Sequence, residues 1–183
     1  MKKKYVQVGL GGRARFFYEA IASTYHQTCE LVGFCDVSQT RMDYANRVLV
    51  NKYGQKKVKT CMPSQFEQLL DDVQPDEVII TSVDRTHHDY IIRAMKKGYD
   101  VICEKPLTID EEKAQEIITV QKQTGRNLRV TFNYRYAPYH TKIKELLEKD
   151  IIGDVFSIHF EWLLNTQHGA DYFRRWHRNK HNS

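Results

Sequence analysis

Tyr5-Val6-Gln7-Val8-Gly9-Leu10-Gly11-Gly12-Arg13-Ala14 passes from an apolar strand into a glycine-rich turn, and its reading decides the fold. Gly9-x-Gly11-x-x-Ala14 fits the fingerprint G-x-G-x-x-G/A. The first glycine makes the tight strand-to-helix turn, the second lets backbone approach a pyrophosphate, and the small third residue lets helix and strand pack closely. A helix that starts here offers amide groups and the positive end of its dipole to an anion. A glycine-rich turn that binds nothing is the alternative, so the context has to decide.

Working outward, strand and helix alternate. The pattern predicts a strand over 5–9, a helix over 14–25 and a strand over 30–35 closed by Asp36. A helix over 39–52, a short strand over 58–60 and a helix opened by Pro63 and Ser64 follow; proline suits a first turn because its missing N–H would be unpaired there anyway. Residues 77–81 are nearly all apolar, as expected of a parallel strand covered on both faces. Thr86, with Asp89 three residues on, reads as a capping box for a helix ended by Gly98. A strand over 99–104, a helix over 110–124 stopped by Gly125 and a strand over 127–132 complete the series. This rhythm implies right-handed crossovers and a doubly wound parallel α/β sheet.

From Asn133 the pattern changes. One more helix is expected over 139–149, with Ile152-Gly153 as its turn. Residues 154–162 alternate apolar and polar, the mark of an antiparallel strand with one wet face. The fold class expected is therefore a dinucleotide-type domain over 1–132, followed over 133–183 by the start of an α+β domain with an antiparallel sheet. Two or three elements build no core alone, so this second domain is expected to be cut short. No periodicity is readable over 163–183.

Composition sets the outer limits. A chain of 183 residues with 41% hydrophobic and 28% charged residues fits a globular protein. The first lysines lead into a strand pattern, with no apolar leader and no membrane-length run, so cytoplasmic localisation and no membrane partner are expected. Cys29, Cys35, Cys61 and Cys103 form no CxxC pair and read as free thiols. The net charge of +5 gathers partly at Arg174, Arg175, Arg178 and Lys180, while elsewhere acids and bases mix. With no nucleic-acid recognition module readable, nucleic-acid binding is not expected. His87-His88-Asp89 points in different directions on a helix, and His177 and His181 lack an acid partner, so no metal site is expected.

Asp36 ends the second strand 22 positions after Ala14, close to the spacing for an acid that accepts hydrogen bonds from an adenosine ribose. It repels a 2′-phosphate and so favours NAD; Arg13 and Arg41 soften that repulsion and keep NADP open. A helix N-cap is the other role open to Asp36. The fifth strand ends in Glu104-Lys105-Pro106, where ligands of open α/β sheets bind. A lysine beside a cationic nicotinamide ring has its ammonium form disfavoured, which suits a base that takes a proton from an alcohol. A strand-ending salt bridge with a turn proline is the plainer alternative.

Together these residues resemble the Gfo/Idh/MocA oxidoreductases. The resemblance runs through Gly9 to Arg13, Asp36 with Arg41, Pro75 to Ile80, His87, Gly98 to Leu107 and Asn133 to Pro138. It implies a Rossmann domain, then an α/β domain whose open sheet carries the substrate pocket and a homo-oligomer interface. It implies that Lys105 is the catalytic residue that positions and deprotonates the reacting hydroxyl. Gly9, Gly11, Gly12, Arg13, Ala14, Asp36, Arg41, Ser82, His87, Glu104, Lys105 and Asn133 would bind the cofactor, with Glu104 near the nicotinamide ribose. Arg135 is a pocket candidate, as is Trp176 in a segment resembling the family's Trp-Arg segment. The implied small-molecule substrate is a sugar or polyol.

Two departures stand out. Ser82-Val83 replaces a common Thr-Pro, and no counterpart of the family's catalytic histidine segment is found before Ser183, so activity of these residues alone is expected to be poor. The reading is an NAD(P)-dependent oxidoreductase acting on hydroxyl groups. A non-catalytic NAD-sensing module and an NAD-dependent glycosidase on the same scaffold are its rivals.

Overall fold

The structure is a computed structural model; it describes residues 1–183, the side chains at positions 168 and 171 excepted. Six strands, β1 (Lys3–Val8), β2 (Cys29–Cys35), β3 (Lys59–Cys61), β4 (Glu77–Ile80), β5 (Asp100–Glu104) and β6 (Leu128–Thr131), form one sheet in the order β3-β2-β1-β4-β5-β6. β1 pairs in parallel with both β2 and β4, and the ladders β2–β3 and β4–β5 are parallel too. The order reverses between β1 and β4, so the carboxyl ends of these two central strands border a crevice.

Helices α1 (Ala14–Ala22), α2 (Gln39–Tyr53), α3 (Phe66–Val73), α4 (His87–Lys96) and α5 (Glu111–Thr124) connect the strands. α1 and α2 bury Ala14, Tyr18, Met42, Ala45 and Leu49 with Phe34 on one side of the sheet. α3, α4 and α5 bury Phe66, Leu70, Ile91, Met95 and Ile117 against Val6, Val8, Val78, Ile80 and Val101 on the other. Each buried Val, Leu, Ile, Phe or Met side chain contributes about 1.5–3 kcal/mol by leaving water, so this two-sided burial is what makes the apolar strand runs obligatory.

The expected order of elements is present, with boundary shifts that have local causes. α1 stops at Ala22 rather than Tyr25: the Ser23 hydroxyl shares the Glu19 carbonyl with the helix, and the Tyr25 amide reaches back five residues to Ala20 instead of four. Pro63 opens a 3₁₀ turn over Pro63–Gln65, and α3 begins only at Phe66. Thr86 does not act as a capping-box residue: its hydroxyl is taken by the Val83 carbonyl (2.6 Å) and Ser82 Oγ (2.7 Å). Asp110 caps α5 by accepting from the Lys113 amide, and Gly125 ends it with φ +65°.

The chain divides into two compact units, Met1–Val130 with His181–Ser183, and Thr131–Lys180. In the second, a 3₁₀ turn over Asn133–Tyr136 leads into α6 (Pro138–Glu148). Residues 154–162 form no strand, contrary to their alternation. An alternating segment becomes a strand only when another edge completes its ladder, and none does so among the described residues. Where no periodicity was readable, α7 (Thr166–Arg174) and a 3₁₀ turn over Trp176–Arg178 are found.

Candidate functional site

The turn after β1 is held from beneath by polar side chains. Gly9 has φ +80°, and a Cβ there would lie 2.4 Å from Ser82 Cα, so no other residue lets the ends of β1 and β4 approach this closely. Thr81 is buried and donates its hydroxyl hydrogen to the Gly9 carbonyl at 2.6 Å. Gln7 Nε2 donates to the Ala14 carbonyl (3.1 Å) and to Thr81 Oγ1 (3.2 Å). Neither Gln7 nor Thr81 was singled out from the sequence; a glutamine inside an otherwise apolar strand was the available signal.

Gly11 and Gly12 differ from Gly9. Neither has positive φ, and a Cβ at either would meet nothing within 4 Å. The protein itself thus gives no steric reason against a Cβ at 11 and 12, which leaves the backbone of the turn open to close approach from outside. Ala14 is fully buried, as the close helix–strand packing requires. No side chain caps the start of α1 and no acid lies in its first turn, so its first amides keep donor capacity for an anion. These features fit a pyrophosphate.

Asp36 is nearly buried with both carboxylate oxygens fixed. Oδ2 accepts from the Leu10 amide (2.5 Å) and Oδ1 from the Ser38 amide (2.8 Å), with Arg41 Nη1 3.8 Å from Oδ1. It therefore ties the glycine turn to the end of β2. The helix cap left open for it belongs to Ser38, whose hydroxyl accepts from the Arg41 amide. The carboxylate keeps lone pairs for ribose hydroxyls, and Arg41 tempers its charge toward a 2′-phosphate.

At the end of β5, buried Glu104 pairs through Oε1 with Arg13 Nε at 2.9 Å. Its Oε2 accepts from the Lys105 amide (3.3 Å), and the Lys105 side chain is exposed. Lys105-Pro106 is a cis peptide. His87 is 1% exposed, so it stands behind the crevice and does not line it. Its Nδ1 meets the Pro106 carbonyl (2.8 Å) and its Nε2 the Ser82 carbonyl (3.1 Å), tying the loop after β4 to the turn after β5. Ser82 in turn packs its backbone against Gly9.

The first unit thus gathers Gly9 to Ala14, Asp36, Arg41, Ser82, His87, Glu104 and Lys105 along the carboxyl ends of β1, β2, β4 and β5. Asn133, Arg135 and Trp176 belong to the second unit. There Asn133 and Arg135 lie in the 3₁₀ turn before α6, and Trp176 stacks on His177 with ring centroids 3.6 Å apart. Among the described residues, no group of three His, Cys, Asp or Glu side chains is placed to hold a metal ion, and no helix is long and apolar enough to cross a membrane.

Residues 3–132 match the family model described as oxidoreductase family, NAD-binding Rossmann fold. The chain belongs to the Gfo/Idh/MocA family. The YteT protein of Bacillus subtilis is 32% identical over 97% of this chain and 41% of its own length. D-glucoside 3-dehydrogenase of Escherichia coli is 27% identical over 85% of this chain and 43% of its own. A crystal structure of scyllo-inositol dehydrogenase from Lactobacillus casei, with bound NAD(H) and scyllo-inositol, superposes with a TM-score of 0.74 at 24% identity. That match covers 84% of this chain and 43% of the dehydrogenase. The chain therefore spans about two-fifths of the length of these relatives, and its parallel sheet is the family's NAD-binding Rossmann domain.

Proposed function

We propose that this Gfo/Idh/MocA chain serves an NAD(P)-dependent oxidation or reduction of a sugar or polyol, at a carbon bearing a hydroxyl or carbonyl group. The observation that carries the proposal is the alignment of three chemically distinct parts along adjacent strand ends: a glycine turn open to an anion, a fixed acid at Asp36, and Glu104-Lys105. A sensor needs only the first two, so the exposed lysine beyond β5 favours catalysis. The relatives named D-glucoside 3-dehydrogenase and inositol 2-dehydrogenase supply the substrate class.

In this reading the amides after β1 hold the pyrophosphate, and Asp36 accepts from the adenosine ribose, which favours NAD. Bound nicotinamide supplies the hydride acceptor or donor. Lys105 Nζ hydrogen-bonds the substrate hydroxyl, takes its proton during oxidation and returns it during reduction. Glu104, held by Arg13, keeps the Lys105 backbone in place through its amide and lies toward the nicotinamide ribose. His87 and Ser82 position the two loops. In the second unit, Asn133 is proposed to contact the cofactor, and Arg135 and Trp176 the substrate.

That unit exposes Phe156, Ile158 and Leu163 by more than four-fifths, a surface suited to a further protein layer or a homo-oligomer contact. The test of function is a panel of polyols and sugars with NAD or NADP, following reduced nicotinamide. Lys105→Met is expected to lower turnover by about 10²–10⁴-fold while cofactor affinity is kept. Turnover equal to the wild type would remove Lys105 from the chemistry.

A further inference from the structure

β2 and β3 end side by side in two thiols. In the parallel register of these strands Cys35 is the partner of Cys61, so the two side chains project to the same face. Cys35 is fully buried, Cys61 is 8% exposed, and both belong to the same apolar cluster as Phe66 and Tyr90. Adjacent parallel strands place paired Cα atoms about 4.8 Å apart, inside the range of about 4.4–6.8 Å that a disulfide spans.

We propose that Cys35 and Cys61 form a redox-active dithiol, a modification site that closes to an intramolecular disulfide by exchange with a low-molecular-weight disulfide such as glutathione disulfide. Three features make the pair more than two small core residues. β3 is an edge strand only three residues long, and Cys61 is its last residue, so local opening exposes that thiol without unfolding the sheet. The thiols are also unequal. Contact with Cys61 and burial push the Cys35 thiol well up, whereas the hydrogen bond from Cys35, helped by the nearby Arg93 guanidinium, lowers Cys61. Cys61, less buried and at the end of a short edge strand, is therefore the attacking thiol, and fully buried Cys35 the resolving one.

The exchange balances in two steps. Cys61 thiolate attacks glutathione disulfide, forming a mixed disulfide and releasing one glutathione thiolate. Cys35 then loses its proton to solvent and attacks Cys61 Sγ, forming the Cys35–Cys61 bond and expelling the second glutathione. Two protein thiols are oxidised and one glutathione disulfide is reduced. Cys29, at the opposite end of β2, and Cys103, buried in β5 and pushed up by burial, take no part.

The dithiol adjoins the cofactor region directly, since Asp36 follows Cys35 and its amide donates to the Cys61 carbonyl at 3.4 Å. A bond between the two sulfurs would therefore lie one residue from this acid. Any effect on NAD rests on the function proposed for Asp36; formation of the disulfide does not.

The test is incubation of the folded protein with excess glutathione disulfide, followed by intact-mass measurement and peptide mapping under non-reducing conditions. The expected result is loss of two hydrogens, mapped to a link between Cys35 and Cys61, reversed by dithiothreitol and retained in Cys29→Ser. Cys35→Ala, which tests the order of attack, is expected to stop at one glutathione on Cys61. An unchanged mass, adducts on Cys29 alone, or a persistent glutathione adduct on Cys61 in the wild type would overturn the proposal. NAD titration of both redox forms is a separate readout, so failure of cofactor binding leaves the mass result to stand by itself.

Discussion

Arg13 and Glu104 form an ion pair, guanidinium Nε to carboxylate Oε1 at 2.9 Å, that joins the glycine turn after β1 to the last residue of β5. Glu104 is nearly buried while Arg13 is two-fifths exposed, so the acid depends on the pair more than the base does. Arg13→Ala is expected to lower stability by about 1–3 kcal/mol, the cost of a buried carboxylate short of a partner. The double variant Arg13→Ala/Glu104→Gln should recover much of that loss in urea titrations. A double variant no more stable than Arg13→Ala would show that the pair is not what matters.

The glycines of the turn are expected to separate by role. Gly9→Ala sets a Cβ against Ser82 Cα at 2.4 Å with φ at +80°, and is expected to cost more than about 3 kcal/mol. Gly12→Ala meets nothing within 4 Å and should melt within a few degrees of the wild type. Equal melting of the two variants would contradict the proposed close approach of β1 and β4.

Thr81→Val leaves the Gly9 carbonyl without its hydroxyl donor and is expected to cost about 1–3 kcal/mol. Gln7→Leu should cost less, because Gln7 Oε1 is buried with no partner among the described residues and its loss offsets that of the Nε2 bonds. Chemical denaturation of both variants checks the order.

Glu19 accepts from Tyr53 Oη (2.6 Å), Lys52 and Arg15, and the Tyr53 hydroxyl, followed by those cations, lowers its carboxyl to about 2. A folded-state value below the unfolded one gives stability that is present above about 4.5 and lost as pH falls toward about 2. Solvent screening holds the amount to about 1 kcal/mol. Glu19→Gln should therefore flatten the acid limb of a stability–pH curve between those values and lower stability at neutral pH. An acid limb of unchanged slope would contradict the cluster.

These residues also mark what the sequence could convey. The sheet was legible because burial on both faces demands uninterrupted apolar runs such as residues 77–81, and because Gly9, Gly98 and Gly125 punctuate them. The glycine turn, Asp36 and Glu104-Lys105 were legible by position, at the ends of those runs. The pairing of Arg13 with Glu104, the Gln7–Thr81 support and the retreat of His87 behind the crevice were not, since each joins residues distant in sequence. Residues 154–162 failed for a different reason: alternation records two faces, but a ladder needs a neighbour. Thr86 failed because it ends the 3₁₀ turn Asp84–Thr86 with helical backbone (φ −99°, ψ −8°), not the extended backbone of a cap, and its hydroxyl turns back toward Val83 O and Ser82 Oγ.

Asp36→Ala should weaken NAD by about 10–100-fold, the worth of hydrogen bonds to a charged acceptor, and narrow the preference for NAD over NADP. Part of any loss will come through the freed Leu10 amide, so the ratio of the two affinities is the more telling number. An unchanged ratio would remove Asp36 from ribose recognition.

The central claim, that a dinucleotide pyrophosphate lies on the backbone after β1, is tested most directly at Gly11. A Cβ there meets nothing within 4 Å in the protein, so Gly11→Val should leave thermal melting within a few degrees of the wild type. In calorimetric titration the wild type should bind NAD, and Gly11→Val should lose at least about 100-fold in affinity, roughly 2.7 kcal/mol. A wild type that binds neither NAD nor NADP, or a Gly11→Val variant that binds as tightly as the wild type, would contradict it.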